Sequence, residues 1–160
     1  MLCPFDQLPD HARVWIYPSQ RPLSSDELTS IREKISDFLK DWTAHGSSLK
    51  AGFCIPYDQF IVIALDEDAQ SATGCSIDKS VHFIQSLEQE FGLVLLDKMN
   101  VNYKRGIEII TVDLKDFKKL AKSQEVASET IVFNHLVINK ADFDKHWEGP
   151  AHSSWHNRFF

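Results

Sequence analysis

The run Phe60-Ile61-Val62-Ile63-Ala64-Leu65 is apolar at every position. A strand with one face in water alternates, so an unbroken apolar run describes a central strand covered on both faces. Six residues are far too few to cross a bilayer, which takes about 20. Whatever fold the chain adopts must supply layers around this strand.

The flanking segments supply them. Ser24 and Glu27 have capping-box spacing, which satisfies two amide donors at a helix start. Leu28, Ile31, Ile35, Phe38, Leu39 and Trp42 follow at three- and four-residue steps, and Gly46 is placed to stop that helix. After the central strand, Asp66 to Gly74 reads as a polar loop. A second helix then carries Ile77, Val81, Ile84, Leu87 and Phe91, with Gly92 just beyond its end. Val14 to Tyr17 is β-branched and aromatic and ends at Pro18, a first strand. Leu49 to Ile55 alternates, and the turn 56–59 joins it to the central strand.

Strand, helix, strand, strand, helix is the opening of a βαββαβ pattern, the split arrangement of ferredoxin-like domains. Leu93 to Leu96 or Val101 to Tyr103 would supply the fourth strand. The remainder reads as an extension. It holds a hairpin over 101–112 turning at Arg105-Gly106, a short helix capped by Asp113, a strand at Thr130 to Phe133, and a last helix carrying Phe143 and Trp147. The expectation is an α+β fold in one domain over 1–160, with a ferredoxin-like part at 13–104 and an extension at 105–160 packed on it.

Charge narrows the function classes. Lys plus Arg is 17 and Asp plus Glu is 23, for a net charge of −6. Nucleic-acid binding needs a basic face, and the one basic cluster, Lys115, Lys118, Lys119 and Lys122, is interleaved with Asp113 and Asp116, so no nucleic-acid partner is expected. Cys3, Cys54 and Cys75 form no CxxC, and the first residues show no secretory pattern. Reduced thiols and a cytoplasmic location follow. No metal or cofactor is expected. His152 and His156 have i, i+4 spacing but lack the Glu of the metalloprotease motif, and Asp66-Glu67-Asp68 reads as a solvated loop.

One segment offers chemistry. Gly74-Cys75-Ser76-Ile77-Asp78-Lys79 follows the polar loop and opens the second helix, with Ser76 as the expected cap. A helix N-terminus carries orphan amides and partial positive charge, which favours an anion or a thiolate. The expected ligand set is Gly74, Cys75, Ser76, Asp78 and Lys79, with His45 from the end of the first helix. The function expected is a binding or interaction module with a small-ligand or anion site there. The alternative is an enzyme or redox sensor using Cys75 as its nucleophile. His45, His82 and His135 also have plain structural readings: a helix-end cation, a solvent-facing residue, and an exposed or hydrogen-bonded strand residue. The tail's Trp147, Trp155, Phe159 and Phe160 are expected to dock on the domain or to form a homodimer or partner contact.

Five segments together resemble a family of small bacterial proteins of unknown function whose members are often labelled "ABC transporter ATPase". They are Val14 to Ser19, Trp42 to Gly46, Gly74 to Ser80, Thr130 to Asn134, and Ser154 to Phe159. The resemblance spans nearly the whole chain and puts the family's Gly-Cys-Ser segment on Gly74, Cys75 and Ser76. It implies no established activity. The ATPase label conflicts with the residues, because no GxxxxGK[ST] loop is present to cradle a nucleotide's phosphates.

Overall fold

In the computed structural model, which describes residues 1–160, the apolar run is the middle of a sheet. Four segments form the framework of the first unit: β1 (Arg13–Pro18), α1 (Ser25–Asp41), a hairpin of β2 (Thr43–Ala44) and β3 (Ser47–Ser48), and β4 (Lys50–Cys54). β5 (Phe60–Asp66) follows, and then α2 (Gly74–Phe91). The sheet order is β1-β5-β4 and both pairings are antiparallel, with Trp15 opposite Ile63 and Phe53 opposite Ile63. All seven residues of β5 are buried, as an apolar run without alternation requires. Ile61, Ile63 and Leu65 share one core with Ile31, Ile35 and Leu39 of α1 and Ile84 and Leu87 of α2. The two helices meet at Phe38 and Phe83, whose rings stack 4.5 Å apart.

Both edges of this sheet are covered. Cys3 donates its amide to the Ala51 carbonyl, and Ala51 donates to Met1. On the other edge Val14 donates to Ile138, and Arg13 bridges Asn139. Gly52 makes the first arrangement possible: a Cβ there would stand 2.4 Å from the Cys3 carbonyl oxygen.

Three expectations need correction. Gly46 does not stop α1. The helix ends at Asp41, Trp42 is already extended, and His45 and Gly46 form the turn of the β2–β3 hairpin with φ of 51° and 76°. Two consecutive positive φ values match the twist of a two-residue hairpin loop. Second, α2 is capped by Thr73, not Ser76. Third, no fourth strand joins this sheet. Residues 93–96 form no strand, and 101–103 pair elsewhere.

The chain divides into two compact units, 1–96 with 138–141 and 97–137 with 142–160. Strand β6 (Asn100–Arg105) belongs to the second because it pairs with β7 (Glu108–Asp113) and with β8 (Ile131–Phe133). The sheet order is β7-β6-β8-β9, where β9 is Glu148–Pro150. α3 (Leu114–Lys122) is capped by Asp113, which accepts from the Asp116 amide at 2.7 Å. Phe117 is fully buried, with Tyr103, Phe159 and His156 all within 6 Å between ring centres. Helix α4 (Lys140–His146) begins in the first unit and belongs to the second from Asp142 onward, and the second unit also contains two 3-10 turns at Ala151–Ser153 and Trp155–Phe159. The aromatic tail therefore packs on the core of its own unit, through Trp155 and Phe159. The whole is an α+β protein, and no helix is long and apolar enough to cross a membrane.

Candidate functional site

At the start of α2 the sequence pattern Thr73-x-x-Ser76 closes a reciprocal cap. The Ser76 amide donates to Thr73 Oγ1 at 3.1 Å, and the Thr73 amide donates to Ser76 Oγ at 2.7 Å. Ser76 is buried, and its carbonyl accepts from the indole of Trp42 at 2.9 Å. The Ile77 amide goes to the Thr73 carbonyl. Two of the donors expected to face an anion are thus spent inside the cap. Gly74 and Cys75 are exposed in the first turn, and Asp78 and Lys79 are exposed one turn on. Gly74 does not have a positive φ, and a Cβ there would meet nothing within 4 Å, so no tight turn demands glycine. His45 is exposed at its hairpin tip. None of His45, Cys75, Asp78 or Lys79 makes a side-chain hydrogen bond or ion pair, so the expected ligand set is not assembled by contacts.

The acidic run at the end of β5 is more ordered than a solvated loop. Each acid has its own base: Asp66 lies 3.8 Å from Lys50, Glu67 3.9 Å from Arg13, and Asp68 2.9 Å from His11. Ligating atoms of His11, Asp66 and Asp68 fall within 4.8 Å of one another. Asp66 also accepts from the Asp68 amide, and Glu67 accepts from the Ala72 amide. Lys50 and Arg13 lie beside two of the three acids, and the His11 ring is hydrogen-bonded to the third.

The second unit holds a partly buried polar relay. Asn102, fully buried on β6, donates from Nδ2 to Thr111 Oγ1 at 2.8 Å. Its Oδ1 lies 2.7 Å from His135 Nε2, and the Trp147 indole donates to His135 Nδ1 at 3.2 Å. An indole N–H only donates, so Nδ1 must be the bare nitrogen and Nε2 must carry the proton given to Asn102. The arrangement holds His135 neutral. Burial pushes its pKa down to about 3, and the neighbouring His156 adds to the shift. His156 is itself fully buried and pushed down to about 4 by burial. Its Nδ1 lies 2.6 Å from Ser154 Oγ, while its Nε2 and the Trp155 indole nitrogen have no partner.

The relay ends on a cleft of about 200 Å3, lined by Val132, Lys145, Trp147, Pro150, Ser153 and Ser154, among others. Trp147 is wedged between Phe133 and Phe143, with ring centres 4.8 and 4.9 Å away. From sequence His135 reads as an exposed or hydrogen-bonded strand residue; it is hydrogen-bonded, but it sits in the turn just after β8. One signal in the sequence is Asn102, set between Val101 and Tyr103 in a strand, because an amide buried there needs hydrogen-bond partners.

No known protein family, characterised protein or solved structure matches the chain.

Proposed function

We propose that the protein is a small-ligand binding module whose site is the cleft of the second unit. The observation that carries this reading is the Thr111–Asn102–His135–Trp147 relay. Buried polar groups cost stability unless every one is hydrogen-bonded, and a fully bonded chain of them fixes one geometry. Here the group so fixed is an indole on the wall of the cleft. Val132, Trp147 and Pro150 beside Lys145, Glu148 and Ser153 offer a small molecule both apolar and polar contacts, as small-molecule sites do. The reading extends to a cytoplasmic location, from three cysteines that form no disulfide, and to a ferredoxin-like topology for the first unit, from its β1-β5-β4 order. The likeness to the small bacterial family fits this picture without adding an activity.

A second reading keeps Cys75 as a reactive thiol, supported by its exposure in the first turn of an 18-residue helix. A mixed library of small fragments, screened by amide chemical shifts on the full chain, separates the two. Saturable shifts across residues 145–154 are expected. Fragments that gather at residues 74–79 instead, or bind nowhere, overturn the cleft.

A further inference from the structure

We propose that this cleft takes a small carboxylate with an apolar body, its charged end at Lys145. The inference rests on the cleft being the ligand site and adds the class of ligand. Two charged side chains of settled sign line the cleft, Lys145 and Glu148. Glu148 is neutralised by Lys104, whose ammonium lies 2.8 Å from its carboxylate. Lys145 makes no ion pair or hydrogen bond. The lining therefore presents one uncompensated positive charge, in a protein whose net charge is −6.

One free cation beside a paired carboxylate matches a monoanion better than a phosphate, whose second charge would meet Glu148. The hydroxyl of Ser153 lies on the same lining and can turn toward a carboxylate, while that of Ser154 is held by the Ala151 carbonyl and His156. The remaining walls, Val132, Trp147 and Pro150, offer no charge and suit a flat or branched apolar body. The volume sets the size. At about 200 Å3 the cleft has room for a body the size of a single ring.

The test uses the full chain with three probes, benzoate, benzamide and inorganic phosphate, followed by amide shifts at 145–154. Benzoate should bind about tenfold more tightly than its neutral isostere benzamide. Lys145→Gln should erase that difference, whereas Lys122→Gln, outside the cleft, should leave it intact. Lys145 is exposed and unpaired, so its substitution leaves the fold alone. Equal binding of benzoate and benzamide in the cleft overturns the charge assignment and leaves the binding module standing. Lys145-dependent binding of phosphate as tight as benzoate overturns the apolar body. If none of the three shifts these residues, the inference falls, and the binding module falls with it only when the fragment library is silent there too.

Discussion

Trp147 donates its indole proton to Nδ1 of His135 across 3.2 Å, a bond that, beside burial, favours the neutral imidazole. Protonating His135 would put a second donor where the indole already points. His135 is held down to about 3 and His156 to about 4. Both folded values lie below the unfolded value near 6.5, so the unfolded chain binds more protons throughout the interval. The stability they contribute is fully present above about pH 6.5 and is lost as the pH falls toward 4 and 3. Each group contributes a slope of up to about 1.4 kcal/mol per pH unit. Urea midpoints should therefore drop between pH 7 and pH 5, before most carboxylates titrate. Equal midpoints at the two values would show that neither imidazole is held neutral.

The two histidines should respond differently to removal. His135→Phe strands the Trp147 indole N–H and Asn102 Oδ1 in the interior, at about 1–3 kcal/mol for each unpaired group. His156→Phe removes an imidazole with one met nitrogen and one unpartnered one, so its cost should stay within about 1 kcal/mol. Urea denaturation of both variants at pH 7 gives the comparison. A His156 variant as damaged as the His135 variant contradicts the bonding described.

Gly52→Ala should loosen the edge of the first sheet. The new methyl would stand 2.4 Å from the Cys3 carbonyl oxygen, which is backbone and has no rotamer to yield. Overpacking of this kind costs about 1–3 kcal/mol. Hydrogen exchange should show the Cys3 and Ala51 amides losing protection, since those two hydrogen bonds tie the first residues to β4. Unchanged protection at both amides would mean that the arm does not lie over Gly52.

Cys75 is exposed, while Cys3 and Cys54 are partly covered. Alkylation of the native protein should label Cys75 first, and Cys75→Ser should leave the melting temperature unchanged. A rate for Cys75 that rises steeply above that of a free thiol at neutral pH would favour the reactive-thiol reading. Labelling only after unfolding would remove it.

Much of the fold was legible because its signals are local. The Ser24–Glu27 box lies within one helical turn, and it forms as the spacing predicts. Gly92 ends α2 in the left-handed conformation with φ of 64°, which glycine adopts without cost. The hairpin of β6 and β7 turns at Gly106, again a property of adjacent residues. The start of α2 was misplaced by one turn because Ser76 has the chemistry of a cap at two positions. Only the pairing with Thr73 selects the inner one.

By itself the sequence determined the two long helices, the hairpin of β6 and β7, and that β5 lies in the middle of a sheet, because periodicity and capping depend on residues a few positions apart. Tertiary structure alone decided which strands pair. Val101 to Tyr103 is equally competent to extend the first sheet or to join β7 and β8, and the choice follows from long-range packing. It also decided the candidate site. Asn102, His135 and Trp147 are scattered over 46 positions of the chain. Each has an unremarkable local context, and their shared chemistry exists only where the folded chain brings them within hydrogen-bonding distance, with Asn102 and Trp147 buried and His135 half-buried.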